Sequence, residues 1–222
     1  MPNIELIHGD CMDVMARYPD NYFDLACVDP PYGIKESGNK ESRNRFASNN
    51  YKAKDWDNEV PNGCYFDHLK RVSKNQIIFG ANYFIDNFPF MCNSSCWLVW
   101  DKDNGASDFA DCELAWTSFS TAVRRFKFQW AGMLQGDMKN KEYRIHPTQK
   151  PVKLYEWLLS NYAEPGQRIL DTHLGSASSA IAAHYGGFDF VGCELDEDYY
   201  NAACERFNNE TRQIDIFGTA ND

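Results

Sequence analysis

The run Phe23-Asp24-Leu25-Ala26-Cys27-Val28, closed by Asp29-Pro30-Pro31-Tyr32, constrains the fold of this chain most. The apolar stretch is nearly continuous, as expected of a strand covered on both faces. Two prolines in succession cannot continue a ladder, so the strand must stop there. Asp29 then falls at the carboxyl end of a buried strand, which is where open α/β sheets put their ligands.

The prolines fix φ and remove two backbone donors. What remains is a stiff corner of acceptors, the Asp29 carboxylate and the Pro30 carbonyl, followed by the aromatic face of Tyr32. A planar amine with two hydrogens to donate fits such a corner, and the exocyclic amine of a nucleobase is one. That amine is a poor nucleophile because its lone pair is delocalised into the ring. Acceptors on both hydrogens favour pyramidal nitrogen and stabilise the positive charge that develops on it. The base must first leave the duplex, and an aromatic side chain can stack on it. The same string, Asp-Pro-Pro-Tyr-Gly, equally suits a proline-capped strand end and a turn.

The rest of the chain alternates strands and helices. Strands are expected at Ile4–Ile7, Gln76–Gly80, Cys96–Trp100, Cys112–Trp116, Arg125–Trp130, Arg168–Asp171 and Phe188–Glu194. Helices are expected at about Met12–Tyr18, Tyr65–Val72, Asn82–Phe88, from Pro151 through Leu154, Trp157, Leu158 and Tyr162, at Ser176–Tyr185, and from Asp196 onward. This alternation predicts an α/β fold, a mostly parallel sheet covered on both faces. Residues 33–61 read as a long polar loop, and about 132–149 as a second, basic loop.

At 222 residues the chain has room for one such domain. No basic, apolar leader or membrane-length apolar stretch is visible, so a cytoplasmic protein without membrane association is expected. The eight cysteines sit mostly in apolar runs and read as small core residues in a reducing setting; no metal site is expected. The net charge of −10 is awkward for a nucleic-acid enzyme. The basic residues are clustered, however. Lys35, Lys40, Arg43, Arg45, Lys52 and Lys54 follow the tetrapeptide, and Arg124, Arg125, Lys127, Lys139, Lys141, Arg144, Lys150 and Lys153 form a second zone. These two segments either compose one positive face or are two solvated loops.

A second candidate site is Asp171-Thr172-His173-Leu174-Gly175-Ser176, joining a strand to a helix. Gly175 permits a tight turn, small residues allow close approach, and the helix amino terminus favours an anion. Glu194, ending the next strand, is placed to accept hydrogen bonds from ribose hydroxyls. The same small residues also suit plain helix–strand packing. His146-Pro147-Thr148-Gln149-Lys150-Pro151 precedes a helix and offers hydrogen bonds and a cation, or is a helix entry with an exposed lysine.

Taken together and in this order, Asp-Pro-Pro-Tyr, His-Pro-Thr-Gln-Lys-Pro, Asp-x-x-x-Gly-Ser and a strand ending in Glu resemble the beta-class DNA amino-methyltransferases. The resemblance runs from about Ile4 to Glu205. It implies a Rossmann-like fold with circularly permuted motif order, the catalytic motif ahead of the cofactor motif, in a single domain over 1–222. It implies S-adenosylmethionine as cofactor and double-stranded DNA as substrate. Asp29, Pro30, Pro31 and Tyr32 would be the catalytic set, with Tyr32 stacking on the flipped base. Asp10 would contact the cofactor's adenine. Asp171 and Gly175 would shape its methionine pocket beside Asp29, with Ser176 and Thr148 or Lys150 near the carboxylate, and Glu194 on the ribose. Lys35, Arg43, Arg45, Lys52, Arg124, Lys139, Lys141 and Arg144 would meet DNA. Asp-Pro-Pro-Tyr leans toward adenine; cytosine is the alternative base, and a protein amide or an inactive DNA-binding homologue are further ones.

Two departures stand out. The family has Pro-Phe after the aspartate and a Gly-Ser-Gly turn, where this chain has Thr172-His173 and Gly175-Ser176-Ala177. His173 would replace an aromatic packing partner of the cofactor, or is a turn histidine. The target-recognition region, about 120–145, is short, which predicts a short or degenerate DNA site, or help from a second subunit in a homodimer.

Overall fold

The computed structural model describes residues 1–35, 57–87, 93–105, 110–131 and 133–212. An eight-stranded sheet is built from β1 (Ile4–His8), β2 (Phe23–Val28), β3 (Ser73–Phe79), β4 (Leu98–Asp101), β5 (Cys112–Thr117), β6 (Arg124–Lys127), β9 (Arg168–Asp171) and β10 (Asp189–Glu194). Its order is β1-β10-β9-β2-β3-β5-β4-β6. The first five run parallel; β5 pairs antiparallel with both β3 and β4, and β6 lies parallel to β4. The helices are α1 (Cys11–Ala16), α2 (Gly63–Val72), α3 (Val152–Tyr162), α4 (Ser178–Gly186) and α5 (Glu197–Thr211). This is the expected Rossmann-like α/β architecture.

The reason β2 is apolar without alternation is visible in its neighbours. Leu25 and Cys27 enter one core, with Leu154 and Leu158 of α3, Ala180 and Ala183 of α4 and Ala203 of α5. Phe23, Ala26 and Val28 enter the other, with Val14 and Met15 of α1 and Phe66, Leu69 and Val72 of α2. Side chains of a strand alternate faces, so two covered faces demand an unbroken apolar run. β3 does the same: Ile77 and Phe79 face one core, Ile78 the other.

From β9 the chain crosses through α4 to β10, and from β2 it crosses through α2 to β3 on the other side. The strand order therefore reverses between β9 and β2. The strands diverge at such a switch point and leave a crevice at their carboxyl ends.

Several local expectations needed correction. The single strand expected at Arg125–Trp130 is two: β6 stops at Lys127, and β7 (Trp130–Ala131) leaves the sheet to pair with β8 (Leu134–Gln135). The break is fixed by Trp130, whose backbone donates to Lys102 O and whose indole donates to Gln149 O. The segment read as loop from about 132 to 149 thus contains β8. The helix expected at Asn82–Phe88 is two short 3-10 turns, Ala81–Tyr83 and Ile85–Asn87, begun by Gly80 in the left-handed region (φ 68°). α4 starts at Ser178 rather than Ser176, because Ala177 itself is left-handed (φ 62°). Most of the 33–61 loop lies outside the described residues.

Candidate active site

The crevice at the switch point is a cavity of about 190 Å³. Gly9 and Asp10, just after β1, Glu194 at the end of β10, Thr172 and His173 after β9, and Asp29 and Pro31 after β2 all line it. His146, Thr148, Gln149 and Lys150 close it from the segment before α3, with Gly175, Ser176 and Tyr199 from beyond β9 and β10. A larger depression, about 450 Å³, opens at the amino end of β3, but its lining carries no carboxylate.

Asp29 takes a donor on each oxygen. Tyr32 Oη donates to Oδ1 at 2.7 Å and Lys150 Nζ to Oδ2 at 2.5 Å. A carboxylate oxygen accepts about two hydrogen bonds, so acceptor capacity remains on both. Burial raises the Asp29 carboxyl above its ordinary value, against the pull of Lys150. The turn itself is pinned by Asp57, whose Oδ1 accepts from Tyr32 N (2.8 Å) and Gly33 N (2.9 Å). Tyr32 stacks on Tyr83 with centroids 5.0 Å apart, and its ring lies so close to Gly80 that a Cβ there would come within 2.0 Å of it. Only glycine permits that approach.

Glu194, Asp10 and Asp171, which surround the Gly175 turn and the end of β1, are each held by backbone. Glu194 accepts from Gly175 N through Oε2 and from Asp196 N through Oε1, both at 3.0 Å. Burial raises its carboxyl. It ties the Gly175 turn (φ 52°) to the end of β10. Asp10 caps α1, its Oδ1 accepting from Met12 N at 2.7 Å. Asp171 is buried next to Thr172 and His173 of the cavity wall, accepting from Ser179 Oγ (2.6 Å) and His173 N (3.0 Å). Its desolvation lifts its carboxyl to about 7 despite those bonds. His173 is half-buried, bonded to Thr172 Oγ1 at 2.9 Å and edge-on to Tyr65 at 5.5 Å. Burial holds its imidazole down to about 4, so it is neutral at physiological pH.

Nine residues singled out in the sequence (Asp10, Asp29, Pro31, Thr148, Lys150, His173, Gly175, Ser176 and Glu194) therefore line one cavity. Pro30, Tyr32 and Asp171 are not part of its lining: Pro30 and Asp171 are buried, and Tyr32, read from the sequence as the stacking partner of a base, has its ring stacked on Tyr83 and its hydroxyl on Asp29. Lys150 is not an exposed helix-entry lysine: it is buried, with its ammonium on Asp29. Among the basic residues, Lys35, Arg124, Lys139 and Lys141 are exposed, while Arg144 is half-buried over the Trp130 ring at 4.3 Å. Arg43, Arg45 and Lys52 lie outside the described residues.

Sequence reasoning missed three residues. Glu113 on β5 shares Lys150 with Asp29, at 2.9 Å. Arg206 on α5, almost fully buried, donates to Ser176 O (2.8 Å), Ser178 Oγ (2.9 Å) and Glu142 Oε2 (2.7 Å). It clamps the turn before α4 to the segment before α3. Glu113 left a faint signal, a carboxylate within the apolar string Cys112-Glu113-Leu114-Ala115-Trp116; Arg206 and Glu142 left none.

A crevice of carboxylates and tight glycine turns at the switch point of a Rossmann-like sheet is where proteins of this architecture hold a nucleotide cofactor. A family model described as DNA methylase, for the N6 and N4 enzymes, matches residues 94–205, and the chain belongs to that family. It is 29% identical to "Putative methylase YubD" of Escherichia coli (strain K12), over 97% of this chain and 95% of that one. It is 23% identical to Type II methyltransferase M2.MboI of Moraxella bovis, over 94% and 89%. Among solved structures, the PvuII DNA methyltransferase (cytosine-N4-specific) shares the fold with a TM-score of 0.62 at 13% identity, covering 92% of this chain and 86% of that one. The M1.HpyAVI–SAM complex does so with 0.54 at 20% identity, covering 92% and 99%. Asp29 to Tyr32 lie outside the stretch matched by the family model and rest on their own geometry. No helix among the described residues is long and apolar enough to cross a membrane.

Proposed function

We propose that this chain transfers a methyl group from S-adenosylmethionine to the exocyclic amine of adenine in double-stranded DNA. The observation that carries the reading is the position of the Asp29 carboxylate. It stands on the wall of the same cavity that Glu194, Gly175 and Asp10 line, with acceptor capacity left on both oxygens.

The donor set suits the cofactor. Glu194 offers acceptors to ribose hydroxyls, Asp10 lines the same cavity, and the turn at Gly175 leaves room for close approach. His173, neutral at physiological pH, is an apolar-faced wall beside Tyr65. Bound there, S-adenosylmethionine supplies a methyl group activated on a sulfonium. Asp29 accepts a hydrogen bond from the target amine and stabilises positive charge on its nitrogen, an interaction strongest in the transition state; the surplus proton of the methylated amine is then released to solvent. Tyr32 holds that carboxylate in orientation from one side and Lys150 from the other. Positioning supplies much of the rate, since no covalent enzyme intermediate is needed.

Arg124, Lys139, Lys141 and Lys35 contribute exposed positive charge toward the phosphates, and residues 120–145 act as a compact recognition segment. Adenine is preferred over cytosine on the resemblance of Asp-Pro-Pro-Tyr. Nucleoside mass spectrometry of unmethylated duplex DNA, incubated with the protein and S-adenosylmethionine, tests the reading. N6-methyladenine is expected. N4-methylcytosine would keep the mechanism and change the base, and no methylated base would overturn it.

A further inference from the structure

Asp29 does not face Lys150 alone. The same ammonium lies 2.9 Å from Glu113 Oε2, and Glu113 Oε1 lies 2.5 Å from Nζ of Lys102. The Lys150 side chain is 3% exposed, and its ammonium also sits over the Phe79 ring at 4.8 Å and the Tyr32 ring at 5.6 Å. Asp29, Lys150, Glu113 and Lys102 therefore form a line of alternating charges. It runs from the cavity wall across the ends of β3 and β5 to a partly exposed lysine over the Trp100 ring.

A lysine on Asp29 alone would work against the proposed chemistry. A closed ion pair is neutral, and a nitrogen becoming cationic needs net negative charge beside it. The second carboxylate restores that charge. Asp29, Lys150 and Glu113 together carry one net negative charge in the water-poor part of the site. The compensating Lys102 stands at the far end of the line, beyond Glu113, so its charge acts on the target amine over a longer distance than that of Lys150. The two carboxylates also fix an ammonium that otherwise rides on a flexible four-carbon stem.

Glu113 stays charged: burial pushes its carboxyl up, but Lys150 and Lys102 pull it down to about 2. Around Asp29 the other titratable groups are its own Tyr32, Cys27 on β2, Asp171 on β9 and Tyr155 on α3. None of these supplies a second cation.

We infer that Glu113, backed by Lys102, is a positioning residue of the transfer step: it holds Lys150 between two carboxylates so that Asp29 keeps its negative charge available to the target amine. This rests on the methyl-transfer reading above.

Glu113→Gln keeps the shape and removes the charge. The expected result is a kcat lowered on the order of 10-fold or more, with cofactor Kd and DNA KM within about 3-fold of native. Glu113 raises the Asp29 carboxyl. Its loss should therefore move the acid limb of kcat/KM, and the 13C-detected titration of Asp29 in the DNA-free protein, to lower pH. Lys102→Met removes the positive charge that offsets Glu113 and should move both to higher pH. It also serves if Glu113→Gln folds poorly. A loss of packing alone would not shift the two variants in opposite directions.

A native rate and an unmoved acid limb in Glu113→Gln would overturn the inference, as would an Asp29 titration unmoved in both variants. If the native chain methylates no DNA, the methyl-transfer reading fails, and the positioning role with it. Opposite shifts of the Asp29 titration would then still show that the line of charges exists.

Discussion

Lys150 Nζ stands 2.5 Å from Asp29 Oδ2, although 121 residues separate them in the chain. One belongs to the corner after β2 and the other to the entry of α3. Their meeting joins the two most distinctive strings of the sequence, Asp29-Pro30-Pro31-Tyr32 and His146-Pro147-Thr148-Gln149-Lys150-Pro151, in one wall of the cavity. The prolines on both sides make each partner's backbone stiff, so the pair is set by rigid segments.

Asp29→Ala is expected to lower methyl transfer by roughly 10³-fold or more while leaving the fold intact. Lys150 keeps Glu113 as its counter-ion, so no bare charge is left buried. Single-turnover kinetics beside a thermal melt check this. Native activity in the variant would remove Asp29 from the mechanism.

Glu194→Ala is expected to weaken cofactor binding about 10-fold and DNA binding little. The variant loses a charged acceptor, which is worth about 1.5–3 kcal/mol when its partners are desolvated. It also frees Gly175 N and Asp196 N, so a modest fall in melting temperature accompanies the loss. Calorimetric titration with S-adenosylmethionine gives the answer, and an unchanged Kd would exclude Glu194 from the site.

Arg206→Met should cost about 3 kcal/mol in urea unfolding, because Glu142 would be left partly buried without its cation. The paired change Arg206→Met with Glu142→Gln should cost less than Arg206→Met alone. A single variant as stable as the native chain would show that this clamp contributes nothing to the fold.

Asp171 sets a pH dependence with a definite sign. Its carboxyl is raised in the folded chain from 3.8 to about 7. Between those values the folded state binds more protons than the unfolded one, so this group makes stability fall as pH rises from about 4 to 7. Asp171→Asn should flatten that slope and add an order-of-magnitude 2–4 kcal/mol at pH 8. Denaturant midpoints at pH 5 and pH 8 measure it; equal effects at both would contradict the burial argument.

Much of the site was legible because local chemistry announces it. A proline pair ends a strand wherever it falls, and an acidic residue at that end marks a carboxyl edge. Gly175 in a strand–helix joint marks a tight turn. These signals need no knowledge of what packs where. The basic zone from Arg124 to Lys153 was only half legible. Charge counts do not say which lysines face solvent, and Arg144 proved to be packed on Trp130.

The sequence by itself determined the strands buried on both faces, the stop after β2 and the order of the two motifs, because these depend on side-chain period and on the covalent limits of proline. Only the tertiary structure decided that β5 runs against its neighbours, that the chain leaves the sheet after Lys127, and that Glu113 and Arg206 reach the site. Those are matters of non-local pairing. A lone carboxylate in a strand or a lone arginine on a helix acquires its partner only when distant segments pack, and a buried charge is tolerated only where that partner arrives.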